Sequence, residues 1–182
     1  QEIITTSHPY VFQNNPASEI QNIPIWISQW LQKKFIQKND LRANFEKKKR
    51  VYIDRNDSSN NENKTRKLLN EDEIKDFLKK LGFEIVKLSN LSFLNQVELF
   101  KDSEIITGLH GAGFANLIFS KPHTKVIELS SKYSGNVLQY LAKRCHLDYK
   151  KIVDSNSQSF KHQNNPIMVD LKKLKKLLIS FY

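Results

Sequence analysis

The stretch ITGLHGAGFANLIFS, residues 106–120, decides how the rest of the chain is read. The chain holds five glycines in 182 residues, and Gly108, Gly111 and Gly113 fall within six positions on either side of His110. A β-branched run enters this segment and a second apolar run, FANLIF, leaves it. The pattern reads as a strand ending at Thr107, a tight turn, and a helix over about 114–118. Glycine at such a junction permits φ > 0 and lets a ligand approach the main chain, while the N–H groups and positive end of the following helix favour an anion. The expectation is a phosphate or diphosphate at Gly111, Ala112 and Gly113, with His110 at the entrance. Its imidazole can donate a hydrogen bond to a phosphate or take a proton from an acceptor. A connection that uses glycine only to turn has the same local appearance. The stretch is not a P-loop, because no Lys-Ser/Thr pair follows, and it is not G-x-G-x-x-G.

Working outward, short β-branched runs alternate with helical patterns from Arg50 onward. VYID (51–54) is a strand that runs into a polar loop, RNDSSNNENKTR (55–66). Asn70 caps the next helix with Glu73 three residues on; Glu71 and Asp72 lie in its first turn, Lys79 and Lys80 in its last, and Gly82 ends it. FEIVKL (83–88) is a strand. Ser92 caps a helix whose Phe93, Val97 and Phe100 share a face. EIIT (104–107) and KVIEL (125–129) are strands around the opening stretch; a helix over 137–143, a strand over 149–153 and a lysine-rich helix in 170–178 complete the series. The fold class is α/β, a doubly wound, mostly parallel sheet flanked by helices, with its ligand beyond the carboxyl ends of the strands. Residues 1–49 differ in kind. They carry Trp26, Trp30 and a helix near 25–37, and read as a linker or the remnant of a preceding lobe, leaving 50–182 as the domain. The start at Gln1 suggests a piece of a longer chain.

The single Cys145 rules out an internal disulfide and any cysteine cluster, and it reads as a small buried side chain. No apolar run approaches ~20 residues and no leader pattern is visible. The expected location is cytoplasmic or peripheral to a membrane, or the secretory lumen in a eukaryote, with the cytoplasm favoured. The net charge of +10 is spread thinly, concentrating only in EKKKR (46–50) and DLKKLKKLL (170–178). In the second, leucines at helical spacing alternate with lysines, the pattern of a solvated amphipathic face. No nucleic-acid partner is expected, and peripheral contact of this basic face with anionic lipid is a weaker possibility.

Three further side chains bear on the site. Arg55, at the end of the first strand, suits bidentate phosphate contact, and a doubly wound sheet places it on the same edge as His110, unless it is a surface arginine paired with Asp54 or Asp57. Arg66 lies across the polar loop, where pairing with a nearby carboxylate is the plainer reading. Glu128, inside VIEL, is placed to accept hydrogen bonds from ribose hydroxyls, or else is an edge-strand carboxylate facing water. His8, His123, His146 and His162 show no metal-ligand spacing and read as surface or loop residues, so no metal site is expected.

With these residues in place the chain resembles the catalytic domain of glycosyltransferase family 61. The resemblance runs through RVYIDR, RKLLNEDEI, LGFEIVKLSNLSFLNQVELFKDSEIITGLHGAGFANLIF and KVIEL, from about residue 50 to 129, and weakly beyond to MVDLKKLKKLL. HGAG followed by Asn116 and then VIEL is its specific part. The resemblance implies a Rossmann-like, donor-binding C-terminal lobe of a GT-B enzyme. It further implies inverting, metal-independent transfer of a sugar, commonly xylose, arabinose or N-acetylglucosamine, from a UDP-linked donor to a hydroxyl of a glycan or protein. Arg55, Arg66, His110, Gly111, Ala112, Gly113, Asn116 and Glu128 fall on its matching positions. For such a transfer the catalytic residues expected are Arg55, meeting the charge on the diphosphate, and His110, contacting phosphate or serving as base. No cofactor is implied beyond the UDP-sugar substrate. Lys121-Pro122-His123-Thr124 stands where the family often has a Pro-Gly turn. Since the acceptor lobe is absent, the piece is not expected to act alone. The rival readings are a nucleotide-binding module of the same fold that catalyses nothing, and a basic nucleic-acid binder.

Overall fold

Burial on both faces is what turns the apolar runs of this sequence into a parallel sheet. The computed structural model describes residues 24–36, 49–55, 67–154 and 166–181. Strands β1 (Lys49–Asp54), β2 (Glu84–Lys87), β3 (Ser103–Leu109), β4 (Lys125–Ser130) and β5 (Asp148–Val153) are all parallel, in the order β2-β1-β3-β4-β5. The expected doubly wound α/β sheet is therefore the observed one. Val51, Ile53, Ile106 and Val126 point to one face, covered by α1 (Ile25–Phe35), α3 (Phe93–Asp102), a 3₁₀ helix (Ala112–Phe119) and α4 (Val137–Arg144). Tyr52, Ile105, Leu109, Ile127 and Ile152 point to the other, beneath α2 (Glu71–Lys80) and α5 (Leu171–Ile179). After β1 the chain turns to the α2 face; after β3 it turns to the opposite one. The adjacent ends of β1 and β3 are thus the point at which the winding reverses, where such sheets open a crevice.

Helix ends follow the sequence in part. Ser92 accepts the amide of Asn95 at 3.2 Å and caps α3 as expected. Gly82, at φ 78, closes α2: its amide reaches the Lys79 carbonyl, and that of Phe83 the Leu78 carbonyl. Helix α4 ends by the same double bond, His146 to Lys143 and Leu147 to Ala142, but with His146 at φ 55 in the glycine position. The tetrapeptide before β4 is a turn closed by the Thr124 amide on the Lys121 carbonyl, in which His123 takes φ 67. Histidine thus adopts the left-handed conformation that glycine would take in a Pro-Gly turn.

Asn70 departs from expectation. Its side chain makes no cap bond to the α2 backbone; it accepts from the Val169 amide at 3.1 Å and donates to the Val169 carbonyl at 2.9 Å. Beside it, Leu69 and Ile167 amides bond Ile167 and Lys67 carbonyls, each at 2.8 Å. Together these form a parallel clasp between the chain entering α2 and the chain entering α5. A long-range partner with both amide and carbonyl to offer outcompetes a local cap.

Helix α1 lies against the 3₁₀ helix. Gln32 Nε2 donates to the Ile118 carbonyl at 2.8 Å, and Phe35 meets Phe93 and Phe119 edge-on at 5.2 and 6.0 Å. Val97 and Phe100 are buried, whereas Phe93 is half exposed and packs through these aromatic edges. Trp26 and Trp30 point outward. Residues 56–66, most of the polar loop, lie outside the described residues.

Candidate functional site

Strand pairing brings the site together. Ile53 of β1 pairs with Gly108 of β3, and a Cβ at 108 would stand 3.0 Å from the Ile53 carbonyl oxygen, so the two strands meet without room for a side chain. Two residues on from this contact are Arg55 and His110. The His110 amide bonds the Leu129 carbonyl at 2.8 Å, which extends the β3–β4 ladder into the turn. Arg55 Nη1 donates to the His110 carbonyl at 2.6 Å, and its guanidinium lies directly on Gly111.

The glycines have reasons other than those expected. Of the glycines only Gly82 lies in the left-handed region, so Gly108, Gly111 and Gly113 are not used for left-handed turns. Each is instead a close approach. A Cβ at 111 would meet Arg55 Cζ at 2.8 Å, and one at 113 would meet Leu88 Cδ1 at 2.8 Å. The helix expected after them is a 3₁₀ helix beginning at Ala112. Its first internal bond runs from the Phe114 amide to the Gly111 carbonyl at 3.1 Å, which leaves the preceding amides of Ala112 and Gly113 outside that ladder.

A cavity of about 450 Å³ opens beside this helix start, walled by Arg55, Gly111, Ala112, Gly113 and Asn116 together with Gln96 and Ser89. Asn116 Nδ2 donates to Gln96 Oε1 at 2.8 Å, and Gln96 Nε2 in turn bonds the carbonyls of Leu88 and Leu91. These bonds fix the 3₁₀ helix to α3. Asp54 also borders the cavity, where its charge would oppose an anion, but Lys75 bonds it at 3.0 Å and Glu71 at 3.2 Å. Burial works against the Lys75 ammonium, yet the hydrogen bonds to Asp54 and Glu71 and their charges outweigh it and raise its pKa. Tyr52 donates to Glu71 from behind, its hydroxyl pushed far up by burial and then by the Glu71 charge.

The His110 ring turns the other way, toward β4. Its Nδ1 lies 2.5 Å from Glu128 Oε1, and Tyr149 of β5 donates to Glu128 Oε2. Glu128 is 0% exposed, on a strand inside the sheet rather than at its edge. The ribose role expected from the sequence has no support in this placement: both oxygens are engaged and neither reaches solvent. Burial alone would raise the Glu128 pKa, but the hydrogen bonds from His110 and Tyr149, aided by the Lys151 charge, overcome it and hold the carboxyl below its usual range. Burial pushes the Tyr149 hydroxyl far up, and the bond to Glu128 adds to this, so it remains a donor. Lys151, paired in register with Glu128, ties down the loop after β4 through the Ser134 and Gly135 carbonyls at 3.1 and 3.3 Å.

Of the expected site residues, Arg55, Gly111, Ala112, Gly113 and Asn116 meet at the cavity, His110 and Glu128 form a dyad beside it, and Arg66 lies outside the described residues, as do His8 and His162. His123 and His146 are exposed turn residues. Sequence reading missed Tyr149, Gln96 and Lys75. Gln96 alone left a signal, a polar residue within the apolar face of α3. Cys145 is buried as expected, its thiol pushed up by burial to about 11. Among the described residues no group of three or more His, Cys, Asp or Glu is placed to share a metal ion, and no helix is long and apolar enough to cross a membrane.

Sequence comparison bears on the chain that carries the strand-end arginine and the HGAG turn with its asparagine. The family model described as glycosyltransferase 61 matches residues 4–127, more than half of the chain. The chain belongs to glycosyltransferase family 61. The family 61 match begins well before residue 50, where the resemblance set out above starts. Similar proteins include the EGF domain-specific O-linked N-acetylglucosamine transferase of Bos taurus, 31% identical over 104 residues that make up 54% of this chain and 18% of the relative. That of Mus musculus is 33% identical over 92 residues, 48% of this chain and 16% of the relative. A beta-1,2-xylosyltransferase of Arabidopsis thaliana is 28% identical over 107 residues, 51% and 20% of the two chains. The chain spans a fifth or less of the length of these family 61 relatives.

Proposed function

We propose that this chain is the donor-binding lobe of an inverting glycosyltransferase, which transfers a sugar from a UDP-linked donor to a hydroxyl of a glycan or protein without a bound metal. The observation that carries the reading is the Arg55 guanidinium laid on Gly111 at the mouth of the cavity, where the sheet reverses its winding. A departing diphosphate needs preorganised positive charge, and Arg55 with the Ala112 and Gly113 amides offers it without reorganisation. Lys75 supports this by pairing with Asp54, the carboxylate that borders the same cavity. The uridine, the inversion and the metal independence rest on the family resemblance. The named relatives supply N-acetylglucosamine and xylose as the sugars to try, and the acceptor is assigned to a partner lobe.

Calorimetric titration of the 182-residue chain with UDP, UMP, ADP and GDP in the presence of EDTA tests the donor half alone. The expected result is saturable binding that prefers UDP, and a loss of about tenfold or more in Arg55→Ala, the scale of one charge-assisted contact. Equal affinity in Arg55→Ala, or no preference for UDP, would remove the basis of the reading. Binding that vanishes with EDTA would reject metal independence.

A further inference from the structure

We propose that Glu128 and Tyr149 are positioning residues that hold His110 with its proton on Nδ1, so that Nε2 is the base that takes the proton of the incoming hydroxyl. The proposal rests on the transferase reading above and chooses between the two roles that the sequence leaves open for His110.

An ionised carboxylate only accepts hydrogen bonds, so a contact of 2.5 Å between Glu128 Oε1 and His110 Nδ1 requires a proton on Nδ1. In the neutral ring the lone pair is then on Nε2, and a neutral ring held this way has no Nε2–H to offer a phosphate. Phosphate contact would need either a bare Nδ1 facing the carboxylate, which sets acceptor against acceptor, or a permanent imidazolium. Glu128 is too deeply buried to touch a substrate and acts only through the ring. Tyr149 fixes the second oxygen, which pins the carboxylate plane, and Lys151 sets a positive charge nearby. Among the described residues, Tyr149 and Lys151 from β5 face the dyad, and the Arg55 guanidinium bonds the His110 carbonyl rather than its ring.

The step balances without a further reactant. As the acceptor oxygen bonds to the anomeric carbon, its proton passes to Nε2, and the bond from that carbon to the β-phosphate oxygen breaks with its electron pair leaving on UDP. The imidazolium that forms is met by the Glu128 charge, and its Nε2 proton later returns to solvent. One residue thereby joins the two half-sites: the His110 carbonyl orients Arg55 toward the diphosphate, and its ring serves the acceptor side.

The test is the protonation pattern of the His110 ring in the ¹⁵N-histidine-labelled chain, read at neutral pH from two-bond nitrogen–proton correlations. The wild-type ring should be neutral with its proton on Nδ1. Glu128→Ala should lose that preference, and Glu128→Gln should keep it, because the amide oxygen still accepts. In Tyr149→Phe the Glu128 carboxyl, followed by its ¹³C signal, should titrate at higher pH than in wild type, with UDP affinity within about twofold. A wild-type ring protonated on Nε2, or on both nitrogens, overturns the assignment even if every variant fails to fold. If that pattern occurs while UDP still binds and Arg55→Ala weakens it, the donor reading stands and this one falls. Absence of UDP binding overturns both.

Discussion

Gly111 is small because Arg55 lies on it, and this makes a prediction about binding rather than about folding. In Gly111→Ala the new methyl would overlap the guanidinium, a flexible end that yields by moving off the His110 carbonyl. UDP affinity should fall about tenfold, the scale of one charge-assisted contact, while stability changes by less than ~1 kcal/mol, as for most substitutions that a flexible side chain can absorb. Gly135→Ala, where a Cβ meets nothing within 4 Å, is the matched control and should leave UDP binding unchanged. A second prediction concerns Glu128. Its carboxyl is held below the ordinary value of 4.5, so its contribution is fully present above that pH and is lost as pH falls through the lower folded value. Urea unfolding of wild type and Glu128→Gln should therefore show a gap at neutral pH that narrows on acidification below about 4.5. A gap that widens there would contradict the hydrogen-bonded, ionised state. These residues also show what one sequence can disclose. Arg55 and His110 were legible because strand ends announce themselves locally. The purpose of Gly111 was not, since the group that excludes a side chain there comes from another strand. Tyr149 was invisible because a tyrosine in a short strand reads as ordinary packing.

At the scale of elements, the ends of α2 and α4 form a natural pair. Both close by the same two bonds, but α2 does so with Gly82 and α4 with His146 at φ 55. A left-handed non-glycine residue carries a steric cost of about 1–2 kcal/mol, partly offset because glycine loses more freedom on folding. His146→Gly should stabilise the chain by about 0.5–1 kcal/mol, raising Tm by ~1–4 °C in a protein of this size, as measured by thermal and urea unfolding. An unchanged or lower Tm would mean that the exposed imidazole makes a contribution of its own. Most helices and strands were legible from their period and flanking residues, to within a residue or two at their ends. The 3₁₀ helix was not, because a short apolar run after a glycine turn looks alike in either helical form. Its tighter winding is accompanied by the Asn116–Gln96 bond to α3.

For the whole molecule, the alternation of strands and helices was enough to predict a doubly wound sheet, while strand order required the structure, since nothing local says that β2 lies outside β1. Nor does anything local say that Asn70 holds Val169. Asn70→Ala removes both bonds and should cost about 1–3 kcal/mol, the penalty for orphaned backbone groups; its urea midpoint would test this, with a shift near zero arguing that water replaces the amide. The clasp has a kinetic side as well. It joins segments about a hundred positions apart, so the sheet face beneath α2 stays only partly covered until α5 has been made. On the ribosome the opposite face, built from α3, the 3₁₀ helix and α4, has all its parts first, and closure of the second is the late, non-local event. Chains halted before residue 166 should therefore carry the assembled cavity edge on a half-covered sheet, the state most exposed to self-association.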